Sequence, residues 1–192
     1  MTVIRPIPEQ LLKDFEPKES WLVHDSDLHG VGHLTRVFIL QELICNELEV
    51  NNIKINRDAL RWAAAAHDVG RHDDGFDPEH GWRSAKWMHE NFKDVMPPET
   101  LDIATYIVHW HVPSDSEAPV MTTELKVLKD ADALDRVRLG DLDSSYLRTS
   151  VAESLIGLAR QLYDYSQEHV ASGQSDSFDS VVKAAKKLGI VK

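Results

Sequence analysis

Apolar residues recur at three- and four-residue intervals along almost the whole chain, the spacing of helices that bury one face. Val31, Leu34, Val37, Phe38, Gln41, Ile44 and Leu48 form the longest such stripe and predict one amphipathic helix. Asn56 can cap a second, carrying Leu60, Ala63, Ala64 and His67. The run Ala63 to Ala66 suits close packing, and Gly70 is placed to end that helix as a C-terminal glycine. Asp77-Pro78-Glu79 reads as an N-cap, a proline at the first helical position and an acid in the first turn, opening a helix with Ala85 and Met88. Pro97-Pro98 starts another through Ile103 and Ile107 that ends before Pro113. Thr122 or Thr123 can cap a helix with Leu125, Leu128 and Asp132. A longer one runs from Ser150 to about Ser172, closed by Gly173, and a last carries Phe178, Val181, Val182, Ala185 and Leu188 before Gly189. Strand signals are poor throughout. The expectation is an all-α fold, a single bundle of six to eight helices over 1–192, with the motif-bearing core at about 24–150 and C-terminal helices at 150–190.

Composition narrows the function. The 192 residues carry a formal net charge of -11, which argues against a nucleic-acid backbone or an anionic membrane as the main partner. A small phosphorylated substrate remains compatible, because a bound divalent metal reverses the local field. Cys45, the only cysteine, sits among apolar residues and reads as a small buried hydrophobe. No stretch is long enough to span a membrane and the N-terminus lacks an apolar signal core, so a cytoplasmic setting is the expectation. Whether the chain forms a homo-oligomer is open. Ten histidines, seven of them between His24 and His89, change the picture most. Histidine is the commonest metal ligand and titrates near neutrality.

His67 and Asp68 end an apolar helix, and a carboxylate in such a place needs a partner. His33 lies upstream in Gly32-His33-Leu34, and Asp132 downstream in Asp130-Ala131-Asp132. The order His, His-Asp, Asp resembles the HD-domain superfamily of metal-dependent phosphohydrolases. His67-Asp68-Val69-Gly70-Arg71 looks like its signature; Glu79-His80-Gly81 and His109-Trp110-His111 look like the added histidine segments of members with extra ligands. His29-Gly30 with His33, then Arg71-His72-Asp73-Asp74-Gly75, resembles one branch of that superfamily. The resemblance implies that His33, His67, Asp68 and Asp132 hold one divalent ion. Asp130 competes with Asp132, and the resemblance favours Asp132, because the ligand in that superfamily usually follows a small residue, here Ala131.

Two imidazoles and two carboxylates give mixed nitrogen and oxygen ligation suited to Mn²⁺, Fe²⁺, Co²⁺, Ni²⁺, Zn²⁺ or Mg²⁺. His80, with His109 or His111, could recruit a second ion or contact phosphate. Arg36, Arg71 and Arg136 are candidate phosphate clamps, since the guanidinium fork matches phosphate oxygens; Arg36, three residues after His33 on the same helical face, is equally placed for a salt bridge to an acid in the site. Asp68 could bridge two metals or accept a proton. His29 and His72 are even choices between site and surface; His24, His89 and His169 read as surface, and Trp82, Trp87 and Trp110 as core. The connections Arg71–Pro78 and Ser114–Val120 are expected to rim a specificity pocket. The leading expectation is hydrolysis of a phosphate mono- or diester, with a nucleotide as the natural guess by analogy. The alternatives are a di-iron oxygenase built on six such ligands, and a non-catalytic module that binds a metal or nucleotide.

Overall fold

The longest apolar stripe folds into the helix around which the others assemble. The computed structural model describes residues 5–26, 28–170 and 177–192. Its helices are α1 (Glu9–Asp14), α2 (Val31–Val50), α3 (Arg57–Ala66), α4 (His80–Phe92), α5 (Pro98–Trp110), α6 (Thr123–Asp135), α7 (Ser150–Val170) and α8 (Phe178–Lys187). Among the described residues there is no β-strand; one isolated parallel bridge joins Ile7 to Val191. No helix among them is long and apolar enough to cross a membrane. The expected stop at Gly173 and the placement of the His169 side chain fall outside the described residues.

Helix α2 is not amphipathic. Every residue from Val31 to Cys45 is buried, because α3, α6, α7 and α8 all pack against it. Its polar residues therefore need buried partners. Glu42 accepts from Arg57 Nη1 at 2.8 Å and Arg61 Nε at 3.0 Å, both on α3. Arg36 ion-pairs with Asp135 at the end of α6 at 2.7 Å. Cys45 is fully buried, and burial pushes its thiol up to about 12, consistent with an inert core residue.

The caps follow the sequence in most places. Asn56 accepts from Ala59 N, Thr122 accepts from Leu125 N, and Gly189 adopts φ +71° after α8. Three further expectations need correction. Gly70 lies beyond the end of α3 and is not in the left-handed region; a Cβ there would come within 2.6 Å of Ser84 N, so the glycine permits close approach of the chain to α4. Asp77 does not cap α4, whose first residue is His80: its carboxylate pairs with Arg83 and accepts from His72 N. Trp82 is half-exposed rather than core, since it lies on the outer face of α4, with Lys86 over its ring.

A second glycine contact matters for the site. A Cβ at Gly81 would lie 2.9 Å from both the Val108 and His109 carbonyl oxygens. Only glycine lets α4 approach α5 this closely just after His80. Gly81→Ala should therefore lower stability by roughly 1–3 kcal/mol through overpacking. Urea unfolding would measure it, and an unchanged midpoint would contradict the close-approach account.

Candidate metal centre

Five helices deliver the ionisable side chains to one interior point. His33 comes from the first turn of α2, His67 and Asp68 from the turn that ends α3, His80 from the start of α4, His111 from the end of α5, and Asp132 from α6. His33 Nε2 lies 3.2 Å from His67 Nε2, 3.4 Å from Asp132 Oδ1 and 3.6 Å from Asp68 Oδ2. His80 Nε2 lies 3.1 Å from His111 Nε2 and 3.0 Å from Asp68 Oδ1. Among the described residues, three overlapping sets have ligand atoms close enough to share an ion: His29, His33 and Asp68; His33, His67 and Asp132; His67, Asp68 and His111.

The tautomers can be read from the second ring nitrogens. His67, His80 and His111 place Nδ1 3.1, 2.5 and 2.6 Å from the carbonyls of Ala64, Asp77 and Val108, each three residues back. A carbonyl only accepts, so each Nδ1 carries the hydrogen and each Nε2 presents a bare lone pair. His80 and His111 thus face one another lone pair to lone pair. Asp68 Oδ1, buried between them, has no hydrogen-bond partner. Such an array is unfavourable unless a positive charge sits inside it, and it matches the imidazole-and-carboxylate donor set of borderline and hard divalent ions. The residues therefore fit a metal, with Asp68 placed to serve both groups of histidines.

The electrostatics agree. Burial holds the His67 imidazole down at about 3, which keeps Nε2 free at neutral pH. Burial raises the Asp68 carboxyl, but His67, His111, His29 and His33 around it outweigh that and keep it well below the usual range. Asp132 is lowered in the same way against burial, chiefly by His33 and His67. For His33, burial and Arg138 oppose protonation, yet its contacts with Asp135 and Asp68 win and raise its affinity for a proton. A ligating imidazole must be unprotonated, so at His33 a metal and a proton compete for the same nitrogen.

Two functional candidates escaped the sequence reading. Asp135 Oδ2 accepts from His33 Nδ1 at 2.8 Å, giving a carboxylate–histidine support of the kind that orients metal-bound imidazoles. Arg36 donates to both oxygens of Asp135, at 2.7 and 3.2 Å, and Arg138 Nη1 reaches Oδ2 at 3.3 Å. Arg36 is thus turned away from any substrate, fully buried against Asp135 and the Tyr163 ring, and acts through His33. Arg138 also brings Nη2 to 3.4 Å from His29 Nδ1.

Other expected residues divide clearly. Arg71 is at the centre, donating from Nε to Asp68 Oδ2 at 3.1 Å and from Nη1 to Gly75 O. His29 Nδ1 lies 2.9 Å from the same Asp68 oxygen. His111, not His109, points inward; His109 is half-buried with its ring against Trp110. Asp130 is consumed elsewhere, accepting from Arg148 N, Thr149 N and Thr149 Oγ1 at the start of α7. Arg136 is exposed and paired with Asp141, and His72 is exposed on the 71–78 connection. His24 lies near Asp74, and His89 is exposed.

The HD domain family model matches residues 30–137, the span that carries all six converging side chains. No curated protein and no solved structure gives a match to the chain. Asp135→Asn keeps an acceptor for His33 but leaves Arg36 buried without its counter-charge. It should weaken metal affinity roughly 10–100-fold and cost about 3–5 kcal/mol of stability. Chelator competition and denaturant titration would measure the two effects; unchanged metal affinity would remove Asp135 from the centre.

Proposed function

The chain belongs to the HD-domain family, and from that premise we propose that it is a metal-dependent phosphohydrolase acting on a phosphate mono- or diester. The observation that carries this reading is the unsatisfied lone-pair array around Asp68. His33, His67, Asp68 and Asp132 would hold one ion, and Asp68, His80 and His111 a second. Such ions supply Lewis-acid polarisation of a phosphoryl oxygen and a lowered pKa for bound water.

The chain's own groups account for the remainder. Asp132 is the most exposed of the six, its side chain 34% accessible, so substrate approaches on that side. Arg71 and His29, each 13% exposed at the side chain, flank Asp68 and are the groups nearest to bind phosphoryl oxygens and neutralise their charge. The carbonyl contacts of His67, His80 and His111 hold those rings in the orientation that ligation requires, so little reorganisation accompanies binding. The acidic cluster and the overall charge of -11 mean that the local positive field must come from the ions with Arg71 and Arg138.

Six converging ligands also suit a pair of redox-active irons, and that favours one second reading, an oxygenase. Elemental analysis of the purified protein, with a screen of phosphate esters in the presence of Mn²⁺, Fe²⁺, Co²⁺, Ni²⁺, Zn²⁺ and Mg²⁺, separates the two. The expected result is one or two ions per chain and turnover that depends on them. Iron with oxygen uptake and no ester hydrolysis would transfer the assignment to the oxygenase. Asp68→Ala should abolish both metal binding and turnover while the far-ultraviolet circular dichroism stays helical; retained activity would refute the site. His80→Ala should leave the His33 group able to bind its ion, giving about half the metal content of a fully loaded two-ion protein.

A further inference from the structure

A cavity of about 490 Å³ adjoins the centre, with His111 in its wall. Its other walls come from the connection between α5 and α6, from Lys129 on α6, and from the connection between α6 and α7. Lys129 stands one helical turn before Asp132 on the same face of α6. The cavity and the centre therefore share two walls. A volume of this size lies within the range of small-molecule sites.

The charges in the cavity are already matched. Lys129, its side chain 4% exposed, donates to Asp115 Oδ1 at 2.8 Å and to Pro113 O at 2.5 Å. Arg148 donates to Asp115 Oδ2 from Nε at 2.9 Å and to Oδ1 from Nη2 at 2.7 Å, and Nη1 reaches Asp130 at 3.4 Å. Two cations meet two carboxylates. A second anionic group on a substrate would have to displace Asp115 from both of its cations before it could bind here.

Hydroxyl chemistry is what remains on offer. A carboxylate has about four acceptor positions. Three at Asp115 are taken, two on Oδ1 and one on Oδ2, so Oδ2 keeps a free one. The side chain is 42% exposed but cannot swing away, because Arg148 and Lys129 pin it. Its contact with Arg148 holds the carboxyl down at about 2, so it is an acceptor throughout the neutral range. Tyr146, 70% exposed, offers a flat ring at the rim.

We propose that this cavity is the leaving-group subsite and that it takes a neutral, hydroxyl-bearing ring, the furanose of a sugar phosphate or nucleotide, with Asp115 Oδ2 accepting a ring hydroxyl. The assignment rests on the phosphohydrolase reading for placing the phosphate at the metal centre. A site built to pair a substrate hydroxyl discriminates against an analogue without it.

The test is equilibrium binding by calorimetry to the metal-loaded protein, with two ring-matched probes, ribose 5-phosphate and tetrahydrofurfuryl phosphate, which lacks the ring hydroxyls. The expected result is roughly 10–100-fold tighter binding of ribose 5-phosphate, the weight of a hydrogen bond to a charged group. Asp115→Asn should reduce that ratio to within about threefold. Equal binding of the two probes by the unaltered protein overturns the assignment, as does binding of neither, or selectivity that survives in Asp115→Asn. The comparison in the unaltered protein needs no variant to fold. Turnover of p-nitrophenyl phosphate, which has no ring hydroxyl, is read alongside. If it is absent while hydroxyl-selective binding persists, the hydrolase reading fails and the cavity stands only as a hydroxyl-binding site, no longer a leaving-group subsite; if it is present with equal binding, the subsite alone fails. Uridine 5′-monophosphate distinguishes the sources: tighter binding than ribose 5-phosphate, lost in Tyr146→Ala, supports a nucleotide, and weaker binding supports a free sugar phosphate.

Discussion

The buried carboxylate of Asp135 is the interaction on which the centre depends. It lies at the last turn of α6, wholly out of solvent, and three groups from two directions converge on it: Arg36 and His33 from α2 and Arg138 from the turn that follows α6. An ionised carboxylate in the interior is stable only if its partners saturate it. Here one of the partners is a metal-ligand candidate. The same charge that locks α2 to α6 therefore sets the tautomer and the rotation of His33. Arg36 supplies the cation that lets Asp135 stay ionised with so little water nearby, and it does so without approaching the opening at Asp132.

Around that anchor the molecule spends its order on holding lone pairs together. Two imidazole nitrogens stand 3.1 Å apart at His80 and His111, and another pair 3.2 Å apart at His33 and His67. Nothing in a metal-free state favours the first of those approaches, between two bare lone pairs, whereas a proton on His33 Nε2 would bridge the second. They persist because each ring is fixed from behind, by a carbonyl one turn back or by Asp135, and because the backbones are held close. Gly81 allows α4 to meet α5, and the alanine run on α3 allows that helix to lie against α2 and α5. The centre is thus preorganised by packing, and the repulsion it contains is an internal strain that a cation relieves.

Much of this was legible in the sequence. The helix order, the Asn56 and Thr122 caps and the convergence of His33, His67, Asp68 and Asp132 follow from spacing and from the family resemblance. The choice between His109 and His111 was also available: Leu101, Ala104, Val108 and His111 continue one buried stripe at three-four intervals, whereas His109 falls off it. The same stripe logic along Leu128, Ala131 and Asp135 could have marked Asp135 as interior. Other features lay outside local pattern. Asp77 looks like an N-cap from its neighbours in sequence, but Arg83 takes its carboxylate. Asp130 and Asp132 are two residues apart, and only the arrival of Thr149 and Arg148 from beyond α6 shows that the first is occupied. The full burial of α2 depends on four helices that meet only in three dimensions.

The division of labour between helices and connections has an evolutionary consequence. All six converging side chains sit on helices or within a residue or two of a helix end, where any shift disturbs several neighbours at once. The walls of the adjoining cavity come largely from the 111–122 and 139–149 connections, which carry few core residues. Insertions and substitutions there can reshape what the cavity admits while the ligands keep their spacing. A lineage built on this plan can diversify its range of reactants without having to reinvent its chemistry.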